Sequence, residues 1–165
     1  MDYLWSPWRF TYVTQADRAS GCVFCQRAAE TDDERNFIVH RGRHNYLLLN
    51  IYPYTVGHVM IVPYRHIATL EQTSAEELAE MMKLTRRSEA ALRNIYRPHG
   101  LNLGMNIGKS AGAGVAEHIH MHVLPRWEAD ANFLSVIGET RVLPEELAVT
   151  WGKLRKEFET TDEHR

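Results

Sequence analysis

Apolar residues in this chain occur in short runs bounded by turn residues and in stretches that alternate with polar residues. Short bounded runs are typical of buried strands, and alternation at period two places the apolar side chains on one face of a β-strand. On this basis strands are predicted at residues 37–39, 46–49, 58–62, 101–106 and 117–124. The first two are joined by a short polar turn at residues 41–44, which is typical of a hairpin.

Two longer segments show helical spacing instead. Thr73 or Ser74 can cap the first, whose apolar residues recur every three or four positions up to about Tyr96. Pro144 begins the second, which continues past Phe158. Strands that are joined locally, together with separate helices, predict an α+β domain with an antiparallel sheet.

Three histidines lie in the last predicted strand. His118, His120 and His122 alternate with large apolar residues, so a strand would place the three imidazoles side by side on one face. Clustered buried imidazoles need polar partners, which makes this pattern hard to explain by packing alone. Because a neutral imidazole is both a nucleophile and a metal ligand, the cluster predicts a chemical role.

The histidine motif resembles the signature of the histidine triad (HIT) nucleotide hydrolases and transferases. The glycine-rich segment 106–114 and the segment 50–63 extend the similarity, which spans roughly residues 22–127. It is closest to the bacterial branch related to diadenosine tetraphosphate phosphorylases, because the flanks at 4–9 and 130–133 are also similar.

This resemblance implies an α+β, HIT-like fold with an antiparallel five-stranded sheet, a long helix and a C-terminal helix. The chain is then a single HIT domain over residues 1–165. Its core at 22–127 is preceded by an aromatic segment at 1–21 and followed by an extension at 128–165. Members of the family usually pair into homodimers.

The resemblance also assigns chemistry to the histidines. The middle histidine of the family attacks the α-phosphorus of a nucleotide, and here that residue is His120. A main-chain carbonyl near the first histidine, His118, fixes its tautomer, and His122 donates to a phosphate oxygen. His58 supports the triad from the neighbouring strand, although a core histidine with satisfied hydrogen bonds would give the same pattern.

Further positions match the family's substrate contacts. Asn50 matches a ribose-binding position, although a residue that ends a strand in a turn is an alternative interpretation. The predicted phosphate contacts are Asn106, Gly108, Ser110, Gly112 and Gly114. Many relatives carry a hydroxyl residue shortly before the triad, and residues 112–117 contain none, so substrate preference is open.

Cys22 and Cys25 form a C-x-x-C pair, which indicates half of a metal site or a redox pair. No strand–helix pattern is evident around the pair, which disfavours a thioredoxin-like role. Zinc-bearing relatives supply the other two ligands at the positions of His66 and His118. A structural zinc site at Cys22, Cys25, His66 and His118 is therefore expected, without an organic cofactor.

Two alternatives for these residues remain. The cysteines could be small buried apolar residues, with His66 on the surface. The three triad histidines could instead share a catalytic zinc ion. The second arrangement is awkward, because alternate residues of a straight strand are about 7 Å apart.

Composition and charge limit the classes of partner that this chain can bind. A net charge of −2 over 165 residues leaves no basic footprint for duplex nucleic acid. The chain has no apolar run long enough for a membrane span and no visible secretory signal. A cytoplasmic protein without a structural disulfide is expected.

Three functions fit these observations. The first is cleavage of dinucleoside polyphosphates by phosphorolysis, with adenine nucleotides and inorganic phosphate as partners. The second is a HIT hydrolase that uses water on nucleotide phosphoramidates or dinucleoside polyphosphates. The third is a non-catalytic, zinc-stabilised nucleotide-binding module, which would have no need of a nucleophile at His120.

Overall fold

The computed structural model describes residues 21–128, 130 and 143–163, with side chains up to 160 in the last range. The aromatic segment at 1–20 lies outside the described residues. So do the flank at 4–9, residues 131–133 of the second flank, and most of the extension up to 142.

A five-stranded antiparallel sheet forms the centre of the described region, with three α-helices packed around it. The helices are α1 (Val23–Ala29), α2 (Ala75–Tyr96) and α3 (Leu147–Glu163), and the strands are β1 (Ile38–Arg41), β2 (Asn45–Leu49), β3 (Val59–Pro63), β4 (Gly100–Gly104) and β5 (Met121–Arg126). The strand order is β1-β2-β3-β5-β4. The predicted α+β class, with its long helix and C-terminal helix, is confirmed.

Local sequence signals set the ends of α2. Ser74 accepts a hydrogen bond from the backbone N–H of Glu77, whose side chain accepts from the backbone N–H of Ser74, so a capping box begins the helix. Arg97 adopts a left-handed conformation at φ 47° and ends the helix before Pro98. None of the helices in the described ranges is both long and apolar enough to cross a membrane.

The two faces of the sheet bury different clusters, because side chains alternate along each strand. One face packs against α2 and α3 through Leu47, Leu49, Val59, Ile61, Val123, Leu92 and Phe158. The other face packs against α1 through Ile38, Tyr46, Leu48, Met60, Val62 and Phe24. His122 pairs directly with Met60, so His122 belongs to the face covered by α1.

The turn between β1 and β2 is closed by a residue from α2. The Glu80 carboxylate accepts hydrogen bonds from the backbone N–H groups of Arg43, His44 and Asn45, at 2.7–2.8 Å. The N–H of Gly42 donates to the carbonyl of Asn45 at 2.8 Å. A Cβ at position 42 would lie 2.8 Å from the backbone carbonyl oxygen of Asn45 and 2.9 Å from the Glu80 carboxylate, so only glycine fits here without a shift of the backbone.

Two predicted strands differ from the structure. The strand predicted at 117–124 begins only at Met121 and continues to Arg126, because the N–H of Ile119 bonds to the carbonyl of Ile67 beyond the end of β3. The strand predicted at 101–106 ends at Gly104. His118, His120 and Asn106 therefore lie outside the sheet.

Candidate active site and metal centre

His120 lies just before β5 with its side chain 5% exposed. Its Nδ1 atom is 2.9 Å from the main-chain carbonyl oxygen of His118. A carbonyl can only accept, so Nδ1 must carry the proton and donate it. The Nε2 atom of His120 therefore keeps its lone pair, which is the state that a nitrogen nucleophile requires.

His122 is held in a defined tautomer by a chain of donors. The backbone N–H of Tyr54 donates to Nδ1 of His58 at 3.2 Å, and Nδ2 of Asn50 lies 3.3 Å from the same atom. His58 must then carry its proton on Nε2, which donates to Nδ1 of His122 at 2.9 Å. The proton of neutral His122 is consequently on Nε2, where it can donate to a bound group.

Burial keeps these histidines neutral. Desolvation lowers the pKa of His118, lowers that of His120 despite its bond to the His118 carbonyl, and lowers the pKa of His122 to about 4. The rings of His120 and His122 are 4.7 Å apart and nearly perpendicular. The pair therefore offers one lone pair and one N–H at neutral pH.

A second cluster lies beside the first and shares His118 with it. Cys22, Cys25, His66 and His118 each contribute one potential ligand atom, and these atoms all lie within 4.8 Å of one another. The Nδ1 atom of His118 is 3.2 Å from Sγ of Cys22 and 3.6 Å from Sγ of Cys25. The Sγ atom of Cys25 is 3.4 Å from Nδ1 of His66.

The spacing of this cluster fits a tetrahedral metal ion. Zinc–sulfur and zinc–nitrogen bonds of about 2.3 and 2.05 Å imply a sulfur–nitrogen edge of about 3.5 Å, close to the distances in the structure. Nε2 of His118 lies 2.9 Å from the carbonyl oxygen of Pro63, so it holds the proton and leaves the Nδ1 lone pair facing the cysteines. Burial raises the pKa of the Cys25 thiol, and a bound cation would reverse that shift.

The histidines are not arranged as the strand pattern predicted. His118 and His120 precede β5, and only His122 lies within it. The imidazole of His118 turns to the cysteines, whereas the rings of His120 and His122 pack on each other. The prediction that one strand carries all three histidines is therefore wrong, because the segment before Met121 bonds to Pro63 and Ile67 instead of pairing in the sheet. The ring of Phe24 nevertheless lies near both His118 and His120, and the ring of His120 packs on that of His122.

The structure also shows a helix that the sequence interpretation missed. α1 begins at Val23, directly after Cys22, and includes Cys25. A helix does follow the first cysteine, contrary to the sequence interpretation. The partners of the two thiols are nevertheless histidines at 3.2–3.6 Å, an arrangement typical of a metal site.

The glycine-rich segment forms a tight turn ahead of His118. Gly108 and Gly112 adopt φ values of 82° and 90° on either side of a short 3-10 turn, Lys109–Ala111. The N–H of Gly112 bonds to the carbonyl of Lys109, so it folds the turn. Asn106, Gly108 and Gly114 are half-buried and Ser110 is exposed; their contact with phosphate stays a prediction.

Asn50 has a structural role besides the predicted ribose contact. Its Oδ1 atom accepts the backbone N–H of Tyr52 at 3.0 Å, which forms a side-chain turn at the end of β2. Its Nδ2 atom contacts His58, as described above. The ribose contact stays a prediction for this residue.

Three groups of the site were not predicted from the sequence. Two are main-chain groups, the N–H of Tyr54 and the carbonyl of Pro63, which no side-chain pattern reveals. The third is Phe24, whose ring lies near both His118 and His120. In the sequence, its position between the two cysteines was the feature that could have indicated a place in the site.

Sequence comparison gives two results. The model of the HIT domain family matches residues 31–129. A protein named AP-4-A phosphorylase from Mycobacterium tuberculosis is 41% identical over 162 residues, which cover 94% of this chain and 83% of the relative.

Solved structures with the same architecture include two histidine triad proteins. A "ZN-bound histidine triad family protein" from Mycobacterium smegmatis has a TM-score of 0.70 and 26% identity, and covers 88% of this chain and 98% of its own. A "hypothetical histidine triad nucleotide-binding protein" from Sulfolobus tokodaii has a TM-score of 0.67 and 26% identity. The match covers 86% of this chain and 94% of that protein.

Proposed function

The chain belongs to the HIT domain family, and we propose that it is a nucleotidyl transferase that cleaves dinucleoside polyphosphates. Diadenosine tetraphosphate and inorganic phosphate would give ADP and ATP. The similarity to a protein named AP-4-A phosphorylase supports this substrate. The observation that carries the proposal is the bond from Nδ1 of His120 to the His118 carbonyl, which leaves Nε2 ready to attack.

The first half-reaction forms a nucleotidyl-histidine. The Nε2 lone pair of His120 attacks the α-phosphorus, and the bond from that phosphorus to its bridging oxygen breaks, so that ATP leaves. The Nε2–H of His122 donates to a phosphate oxygen as negative charge accumulates there. The His118 carbonyl stabilises the positive charge on the modified His120 ring, because it accepts a hydrogen bond from the Nδ1–H group.

The second half-reaction returns His120 to its starting state. An oxygen of inorganic phosphate attacks the same phosphorus, the nitrogen–phosphorus bond breaks, and ADP forms. His120 is a good leaving group, because its ring keeps the Nδ1 proton and is cationic while phosphorus is attached. Water at the same position would give AMP, so the acceptor decides between phosphorolysis and hydrolysis.

We further propose that Cys22, Cys25, His66 and His118 hold a structural zinc ion. The donor set and the sulfur–nitrogen spacing support this site. Bound zinc would cross-link α1, the segment after β3 and the segment before β5. His118 would then be fixed through its side chain while its carbonyl orients His120.

The remaining assignments follow from the family. We propose that Asn50 contacts the ribose, and that Asn106, Gly108, Ser110, Gly112 and Gly114 contact the phosphates. A cytoplasmic homodimer is proposed on the same basis. Sedimentation equilibrium measures the oligomeric state, and a monomer at micromolar concentration would contradict the dimer.

The decisive experiment is product analysis with diadenosine tetraphosphate, with and without inorganic phosphate. Wild type, His120→Asn and the control His99→Asn are compared; the Nδ1 atom of His99 accepts the N–H of Glu128, away from the triad. ADP and ATP that form only with phosphate, in wild type and the control but not in His120→Asn, are expected.

Two other outcomes would replace the proposal. AMP and ATP formed without phosphate would identify a hydrolase. Absence of turnover with tight AMP binding would favour the nucleotide-binding module. Acid-labile radioactive nucleotide retained on wild type but not on His120→Asn would independently identify the nucleotidyl-histidine.

A further inference from the structure

Phe24 lies in α1 between the two cysteines of the candidate metal centre, and its ring points into the sheet. It is 5% exposed and packs in the cluster of Ile38, Tyr46, Leu48, Met60 and Val62. The ring centroid is 5.6 Å from that of His118 at 82° and 4.9 Å from that of His120 at 52°. One aromatic ring therefore lies against His118 of the candidate metal centre and against His120, the candidate nucleophile.

Two rings pack against the ring of His120. The ring centroid of Phe24 lies 4.9 Å from that of His120, and the ring centroid of His122 lies 4.7 Å from it. The hydrogen bond to the His118 carbonyl fixes the position of Nδ1. A bond through a single atom leaves the ring free to tilt about that bond, and the two ring contacts restrict this tilt.

Phe24 is itself anchored independently of the cysteines. Its backbone carbonyl accepts the hydroxyl of Tyr46 at 2.8 Å, and Tyr46 is fully buried in β2. The position of the Phe24 ring is therefore set from the sheet as well as from the neighbouring cysteines.

We propose that Phe24 is a positioning residue, whose ring holds the imidazole of His120 in the orientation that aims Nε2 at the substrate. The inference rests on the proposed role of His120 as the nucleophile. Misplacement of a reacting atom by about 1 Å can lower a rate about 100-fold. A side chain that never touches the reacting phosphorus can thus strongly affect kcat.

The test compares Phe24→Leu with Phe158→Leu. Phe158 is a matched control, because it is also buried, at 2% exposure, but packs on the opposite face of the sheet. Phe24→Leu is expected to lower kcat by about tenfold or more, with KM changed less than about threefold. Phe158→Leu is expected to leave both constants within about twofold.

A spectroscopic measurement reports on the tautomer of His120, which stays fixed only while the ring is oriented so that its Nδ1–H meets the His118 carbonyl. In protein labelled with ¹⁵N-histidine, wild-type His120 at pH 7.5 is expected to show a protonated Nδ1 and an unprotonated Nε2. Phe24→Leu should show averaged shifts for the two nitrogens, and Phe158→Leu should match wild type. Tyr46→Phe removes the hydrogen bond to the Phe24 carbonyl without a large change in side-chain volume. It should average the two ¹⁵N shifts of His120 as Phe24→Leu does, but to a smaller extent.

Unchanged His120 shifts in both Phe24→Leu and Tyr46→Phe would overturn the inference. So would equal losses of kcat in Phe24→Leu and Phe158→Leu, since these would reflect lost packing alone. Loss of bound metal in Phe24→Leu would overturn it too, because the effect would then act through the cysteines. If wild type turns over no nucleotide, the proposed function fails, while the ¹⁵N comparison still decides whether Phe24 orients His120.

Discussion

The Nε2 atom of His58 lies 2.9 Å from Nδ1 of His122, and both residues are buried. Because the N–H of Tyr54 occupies the other nitrogen of His58, the proton between the two histidines belongs to His58. The main-chain N–H of Tyr54, five residues after the end of β2, thus determines which nitrogen of His122 faces the candidate phosphate site.

Replacement of His58 by Phe should lower kcat about 10- to 100-fold, because His122 would lose the partner that fixes its tautomer. His58→Gln supplies an amide N–H in place of the imidazole and should recover part of the loss. Steady-state kinetics with diadenosine tetraphosphate measures both variants. Wild-type kcat in His58→Phe would show that the bond between the histidines has no role in turnover.

The protein should lose stability in mild acid. Burial lowers the pKa of His122 to about 4 in the folded chain, whereas an unfolded chain binds the proton near pH 6.5. The unfolded state therefore binds more protons between these values, and the free energy of unfolding falls as pH falls from about 6.5 to 4. For His122 alone the total loss is about 3 kcal/mol.

Urea denaturation at pH 7.5, 5.5 and 4.5 measures this dependence. His122→Gln should be less stable than wild type at pH 7.5. It should lose less stability than wild type on acidification, because one of the titrating histidines is removed. His118 and His120 have lowered pKa values too, so the remaining slope keeps the same sign. Parallel pH profiles for wild type and His122→Gln would argue against a neutral, buried His122.

Removal of metal should destabilise the fold. A ligand present at about 1,000 times its dissociation constant stabilises the folded state by about 4 kcal/mol. In a chain of this size that corresponds to a fall in Tm of about 10 °C on chelation. Differential scanning calorimetry with a strong chelator, together with metal analysis, measures the effect.

Cys22→Ser and His120→Asn separate the two clusters. Cys22→Ser should have a lower metal content and a Tm that no longer responds to chelator. His120→Asn should keep the metal and the wild-type response, because His120 is not among the four ligand residues. A metal content near zero in purified wild type, even after incubation with zinc, would contradict the proposed site.

Much of the sheet was predictable because its signals are local. The apolar runs at 46–49 and 58–62 match β2 and β3 to within one residue, and Ser74 with Glu77 sets the start of α2. The four ligand residues were assigned through family resemblance, and the structure brings them together. The strands and the helix start do not depend on how distant segments pack, whereas the ligand residues come from three separate segments that only the resemblance connected.

The features that were missed depend on long-range contacts or on the main chain. β5 begins at Met121 because His118 and Ile119 bond to residues near the end of β3. α1 has seven residues and no side-chain hydrogen bond at its N-cap, so it carries little helical signal. The donor from Tyr54 and the acceptor of Pro63 are peptide groups; any residue type supplies the carbonyl, and any residue type except proline supplies the N–H.

The Glu80 carboxylate has a consequence for the order in which the chain acquires structure. Of the four turn N–H groups at 42–45, one bonds within the turn and three bond to this single side chain from α2. The β1–β2 hairpin therefore depends on α2: until the helix docks, the N–H groups of Arg43, His44 and Asn45 can bond only to water. Slow amide hydrogen exchange at 43–45 thus reports docking of α2, and the first two strands and the long helix form one cooperative unit.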